Sequence, residues 1–162
     1  MGVTRDLSEL LDHFNLSKIK IGPRWANVEL EFEAANKDAA WELYVEMLTR
    51  VITQPIPAEG GNEQAALNSI YSIFETTRDV LRRRGRTAFD VSLVVIPVLN
   101  QVVRPFTTKW HNESLAGAFS DEAKRAEFRQ ELTDLQHDLC QYNRILAEIA
   151  GVEDLTDLEQ YE

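Results

Sequence analysis

The longest periodic stretch of the chain is residues 120–151, SDEAKRAEFRQELTDLQHDLCQYNRILAEIAG. Its apolar residues alternate at spacings of four and three, which is typical of a helix with one buried face: Phe128, Leu132, Leu135, Leu139, Tyr142, Leu146 and Ile149. Ser120 is suited to cap the start of this helix, and Gly151 is suited to end it. The pattern predicts a helix over residues 120–150 that forms the seam of a helical bundle, so the predicted fold class is mainly α.

Three further segments carry helical apolar spacing. Residues 36–54 end before a loop rich in proline and glycine, and residues 62–84 end at a glycine. Residues 88–112 contain Pro97 and Pro105, and apolar spacing that persists across both prolines favours a kinked helix. The alternative for this segment is that it forms strands, because its consecutive valine and isoleucine residues have high strand propensity. The helical spacing uses Phe89, Leu93, Ile96, Val103, Phe106 and Trp110. Four long helices with short loops predict an antiparallel four-helix bundle.

The N-terminal part of the chain has a different periodicity. Residues 4–15 have the apolar spacing of a short helix. Within residues 18–33, apolar and polar residues alternate on both sides of the turn signal Gly22-Pro23. This predicts a β-hairpin over residues 18–33. A lone hairpin is marginal in water, so we expect its apolar face to lie on the helices or on a second chain.

The length, hydrophobic content and net charge of the chain are those of one acidic domain. The chain has 162 residues, 44% of them hydrophobic, and a formal net charge of −10. A domain of this size buries a sufficient core without metals or disulfides. We expect residues 1–151 to form a single helical domain. Residues 152–162 hold five acidic residues and no basic one, so they are predicted to be an acidic tail that frays.

Composition also limits the location and the chemistry. The first residues lack a basic-then-apolar leader pattern, and the longest apolar run, residues 93–99, is too short to cross a bilayer. The single cysteine, Cys140, fits a reducing compartment. The expected location is the cytoplasm, without a membrane partner. No cofactor or metal is expected, because glycine-rich phosphate loops and metal-ligand spacings are missing from the sequence.

Arg104 and His111 are the residues best suited to catalysis. They lie seven positions apart, so on a helix both side chains project from one face, about 10 Å apart along the axis. Asn100 and Thr108 continue the same polar stripe at helical spacing. An arginine can bind a phosphodiester anion, and a histidine titrates near neutral pH and can transfer a proton. The stripe is therefore a candidate catalytic site.

An arginine followed after six residues by a histidine, on a helix of a bundle, resembles the HEPN family of RNA-cleaving domains. Here the pair is Arg104 and His111, with Pro105 where the family commonly has a polar residue. The resemblance implies a metal-independent ribonuclease that acts on RNA as a dimer with two facing motifs. Arg104 would stabilise the anionic transition state and His111 would transfer the proton. In the structural alternative, the pair anchors the 113–119 loop or binds carboxylates such as Glu113.

The basic residues are concentrated in one segment. With Asp79 included, this segment carries a charge of +4 within nine residues, from Arg78, Arg82, Arg83, Arg84 and Arg86. Such a cluster can bind phosphate or an acidic partner, or it can complement the dipole at the end of a helix. The bundle topology predicts that it lies about 24 Å or more from His111, at the opposite end.

Trp25 lies in the predicted turn of the hairpin, and tryptophan is enriched at binding hot spots. Exposed apolar elements and segregated charge favour a non-catalytic helical-bundle protein. It would act through protein–protein association, including self-association as a homodimer. The alternative function is that of an HEPN-like ribonuclease or of an inactive relative.

Overall fold

The computed structural model describes residues 5–50, 56–57 and 62–158, and it is mainly helical, as predicted. The elements in chain order are β1 (Arg5–Asp6), α1 (Leu7–His13), α2 (Pro23–Ala26), β2 (Glu29–Leu30), α3 (Ala34–Leu48), α4 (Glu63–Arg84), α5 (Phe89–Val98), α6 (Arg104–Leu115) and α7 (Glu122–Ala150). Two 3₁₀ turns, Gly85–Ala88 and Ala118–Ser120, precede α5 and α7, and a π-helical turn, Leu99–Val103, joins α5 to α6.

Helix α7 presents its predicted seam to the core. All seven seam residues are buried, and Leu139 is fully inaccessible. The helix packs most extensively along α3, which also packs on α4. The N-cap is Asp121, whose carboxylate accepts a hydrogen bond from the Ala123 N–H at 2.9 Å. Ser120 was the predicted cap, but it belongs to the preceding 3₁₀ turn.

The other long helices agree with the sequence pattern to different degrees. Helix α4 begins and ends within one residue of the predicted bounds. Helix α3 begins two residues early and ends at Leu48. The predicted last turn of that helix, residues 51–54, lies outside the described residues.

The segment with two prolines is helical, so the alternative of strands is wrong. Pro97 lies inside α5, and Pro105 lies in the first turn of α6. Just before Pro105, the Arg104 N–H donates to the Leu99 carbonyl, five residues back, which makes a π turn. A proline cannot donate to the carbonyl four residues back, and its ring crowds that carbonyl, so a wider turn accommodates it. The helix then continues to Leu115.

Of the two strands predicted for a hairpin over residues 18–33, the structure contains only the second, so the prediction of a hairpin within this range is wrong. Strand β2 pairs antiparallel with β1, with Arg5 opposite Leu30 and Asp6 opposite Glu29. The first half of the predicted hairpin instead contains α2, because Pro23 has a backbone angle suited to the first turn of a helix. The alternation around β2 is real, since Leu30 and Phe32 are buried.

The described part of the acidic tail, residues 152–158, contacts the helices through hydrogen bonds and ion pairs. The Tyr44 hydroxyl donates to Asp154 at 2.9 Å and accepts from the Leu155 N–H. Arg144 forms ion pairs with Asp154 at 3.5 Å and with Asp157 at 3.2 Å. A buried tyrosine hydroxyl needs a hydrogen-bond partner, and the tail supplies it.

The stretch Glu63–Leu115 contains one 18-residue window of mean hydropathy 1.3 that passes the length and composition criteria for a membrane span. Within the structure, 39% of that window is buried. Core helices of soluble proteins pass the same criteria, so this window assigns no location to the protein.

Candidate functional site

Arg104 and His111 lie on one exposed face of α6. Pro105 does not interrupt the helix between them, because the preceding π turn places it at the start of α6, where a missing donor costs nothing. Both side chains are exposed, as are Asn100 and Thr108 of the same stripe. The predicted stripe is therefore present on the surface.

The two side chains of the motif contact different partners. Arg104 donates from Nε and Nη2 to the Asn100 side-chain oxygen at 3.2 and 3.0 Å. Its guanidinium lies over the Phe74 ring, with its central carbon 4.7 Å from the ring centroid. The His111 ring meets Tyr71 edge-on, with centroids 5.8 Å apart. The stripe thus packs on α4 at two separate points.

The predicted carboxylate partner of the stripe is engaged elsewhere. Glu113 pairs with Lys124 at 3.5 Å, and neither Arg104 nor His111 forms an ion pair with it. The His111 carbonyl accepts a hydrogen bond from Ser114 at 2.8 Å, which is ordinary within the last turns of a helix. The part of the structural alternative that relied on Glu113 is therefore wrong.

Two arginines of the basic cluster have structural partners. Arg83 and Arg84 both donate to the Glu42 carboxylate on α3, and Arg84 also lies 3.8 Å from Asp38. Burial raises the pKa of Glu42, but the hydrogen bonds from Arg84 and Arg83 outweigh it and hold this pKa below its usual value. These two arginines therefore join α4 to α3.

Other arginines of the cluster line a groove between α4 and the α5–α6 stretch, which we call the arginine groove. Its volume is about 260 Å³. The residues that line it are Phe74, Thr77, Arg78, Leu81, Arg82, Val95, Ile96, Leu99, Asn100 and Arg104. Arg78 and Arg82 form no ion pair with any described residue. The cluster was predicted to lie about 24 Å or more from His111. Two of its arginines, Arg78 and Arg82, share this groove with Arg104 at the other end of the polar stripe.

Trp25 lines a second groove, which we call the tryptophan groove. It has a volume of about 210 Å³ and is lined by Leu7, Lys20, Ile21, Gly22, Trp25, Ser92, Leu93, Ile96 and Pro97. The Trp25 ring is 36% exposed and lies beside Phe89, with ring centroids 6.4 Å apart. The guanidinium carbon of Arg24 lies 5.0 Å from the centroid of the Trp25 ring.

The outward face of α5 connects the two grooves. Phe89 is 52% exposed and Ile96 is 50% exposed. Ile96 lines both grooves, so the largely apolar tryptophan groove and the basic arginine groove adjoin at this residue. The sequence pattern assigned Phe89 and Ile96 to the buried spacing of the helix. In the structure, the inward face consists of the valines of α5: Val91, Val94, Val95 and Val98.

Among the residues that the structure describes, no three histidine, cysteine, aspartate or glutamate side chains are grouped so that they could hold a metal ion. Burial raises the pKa of the Cys140 thiol, so it is mostly protonated at neutral pH and a poor nucleophile.

No protein-family model, curated protein or solved structure matches the chain. The resemblance to HEPN domains therefore depends on Arg104 and His111. The exposed polar stripe of α6 and the two grooves that meet at Ile96 are the candidate functional surfaces.

Proposed function

We propose that this chain is a non-catalytic helical protein that acts through protein–protein association, and that a second copy of the chain is one of its partners. The observation that carries the proposal is the half-exposed apolar face formed by Phe89, Ile96 and Trp25 beside the tryptophan groove. Large apolar residues gathered in one exposed patch are typical of interaction surfaces.

The anatomy of this surface fits a protein partner. Its centre consists of aromatic and aliphatic side chains, and Lys20 and Arg24 lie at its rim. Protein interfaces combine an apolar centre, which excludes water, with a polar rim.

The walls of the tryptophan groove are held in place before any partner binds. The Lys20 N–H donates to the Gln101 side chain at 2.8 Å, and that side chain donates back to the Lys20 carbonyl at 2.7 Å. This pair fixes the segment before α2 to the π turn. A preformed surface loses less conformational entropy on binding, which favours association.

In this proposal, the antiparallel four-helix bundle predicted from the sequence is the scaffold that presents the surface. The packing of α3 against α4 and α7, and of α4 against α6, supports such an arrangement. The exposed face of α5 would then be the side of the scaffold that a partner covers.

Replacing Ile96 with glutamate is expected to weaken self-association at least tenfold, because it places a charge at the centre of an apolar surface. Tenfold corresponds to about 1.4 kcal/mol. Light scattering across a range of protein concentrations measures the effect. The matched control is Leu115→Glu, which alters a residue 76% exposed and outside both grooves. A wild-type chain that stays monomeric throughout, or equal losses in both variants, would contradict the proposal.

A second candidate function is that of a metal-independent ribonuclease of the HEPN type. The observation that favours it is the uninterrupted α6 face shared by Arg104 and His111. If the chain cleaves RNA, cleavage should persist in EDTA and fall by about a hundredfold or more in His111→Ala, the scale of lost acid–base catalysis. Asn112→Ala, the exposed neighbour, is the control. Absence of cleavage by the wild-type protein, or equal cleavage by His111→Ala, rejects this candidate.

A further inference from the structure

We propose that the arginine groove recognises an acidic segment of a partner protein that also carries an apolar side chain such as leucine. This inference rests on the proposed function and names the chemistry of the partner. The groove offers three guanidinium groups around an apolar floor, on a chain whose net charge is −10.

The charge of the groove is available to a ligand. Arg78 and Arg82 are exposed and have no carboxylate partner among the described residues. Their sequence neighbours Arg83 and Arg84 are bound by Glu42. Guanidinium groups bind carboxylates in a planar, two-pronged geometry, so free arginines beside a groove select carboxylates.

Arg104 is oriented before a ligand arrives. The Nε and Nη2 groups of Arg104 donate hydrogen bonds to the Asn100 side-chain oxygen, and its guanidinium lies over the Phe74 ring. Its Nη1 group donates to no residue in the described part of the chain, so it remains for a ligand. Because the side chain is already fixed at two points, binding through it costs less rotamer entropy.

The floor of the groove favours a protein segment over a nucleic acid. It consists of apolar side chains: Phe74, Leu81, Val95, Ile96 and Leu99. Phe74 is its sole aromatic side chain, and Arg104 already covers that ring. Base stacking on an exposed aromatic side chain is therefore not offered within the arginine groove, although such stacking is a main source of affinity for single strands. The net negative charge of the chain also repels a long polyanion.

The tryptophan groove adjoins the arginine groove, and this arrangement determines how a partner segment would lie across both. Since Ile96 lines both grooves, a segment that lies across α5 can place apolar side chains beside Trp25 and carboxylates beside Arg82. One extended or helical segment can therefore use the apolar and the basic part together.

An array of 12-residue peptides tests this inference. One series contains glutamate and leucine in several registers, a second replaces glutamate with glutamine, and a third replaces leucine with serine. We expect the glutamate–leucine series to bind best and to weaken as salt rises, because screening reduces charge attraction. The inference is overturned if the glutamine series binds as well as the glutamate–leucine series. It is also overturned if no peptide of the glutamate–leucine series binds, whatever its register. Tighter binding of an oligouridylate RNA than of any peptide also overturns it.

Charge reversal in the groove gives the matched comparison. Arg82→Glu and Arg104→Glu should each weaken binding of the best peptide at least tenfold. Arg86→Glu makes the same charge change four residues from Arg82, outside the groove, and should change it less than twofold. Circular dichroism confirms that each variant is folded. Equal losses in Arg82→Glu and Arg86→Glu would show a general charge effect and overturn the inference.

The same variants separate this inference from the proposed function. If Ile96→Glu abolishes self-association while the peptides fail to bind, protein association stands and recognition of acidic segments fails. If the peptides bind through the arginines while the wild-type chain stays monomeric, self-association fails and the arginine groove stands.

Discussion

Replacing Trp110 with alanine is expected to lower the free energy of unfolding by about 3–5 kcal/mol, the range for a buried aromatic side chain. Trp110 is fully buried. Its ring stacks near Phe119 with centroids 6.2 Å apart and meets Phe128 edge-on at 5.1 Å. The substitution would leave a cavity between α6 and α7 and would remove both ring contacts. Chemical denaturation measures the loss.

A hydrogen bond adds to this burial. The Trp110 indole N–H donates to the Glu131 carboxylate at 2.8 Å, and Lys109 binds the same carboxylate. Trp110→Phe keeps a buried aromatic ring but removes this donor and part of the ring volume, so it should cost less than Trp110→Ala. Trp41→Ala, at a tryptophan 45% exposed, is the surface control and should cost less than either. A loss below about 1 kcal/mol in Trp110→Ala would show that the aromatic cluster is not packed in solution.

Replacing Leu139 with alanine is expected to lower the free energy of unfolding by about 2–5 kcal/mol, and Leu135→Ala should fall in the same range. Leu139 is fully buried and Leu135 is 5% exposed, both in the middle of the α7 seam. The long α3–α7 interface limits how far the backbone can collapse around the missing methyl groups.

Leu115→Ala is the control for the α7 substitutions, because it removes the same atoms from a side chain that is 76% exposed. Its effect should stay within about 0.5 kcal/mol. If Leu139→Ala also falls within that range, the α7 seam faces solvent or a partner, and the packing of this helix differs from the structure described.

The long helices could be predicted because the sequence features that specify them, apolar spacing and capping residues, act over a few neighbouring residues. In α7 the apolar residues recur at spacings of four and three, and Gly151 has the left-handed backbone that ends a helix. The pairing of β1 with β2 could not be predicted in the same way. Strand β1 has only two residues, Arg5 and Asp6, and neither belongs to an apolar alternation.

The candidate site was predictable in part. Trp25, Arg82 and Arg104 could be selected from the sequence because their residue types suit binding. The sequence did not predict that these residues lie on adjoining grooves. The reason is that α5 is apolar on nearly every side, so its composition does not show which face is buried. The valines face inward, which leaves Phe89 and Ile96 on the surface.

By itself, the sequence determined the helical class, the bounds of α4, the C-terminal end of α7, and the α6 face shared by Arg104 and His111. Periodicity and capping act over a few residues, so a single chain records them. Only the tertiary structure decided which arginines are bound by Glu42 and which line a groove with Arg104. It also decided that Asp154 and Leu155, in the described part of the acidic tail, contact Tyr44. These are contacts between residues distant in sequence, and their partners are chosen by how the helices pack.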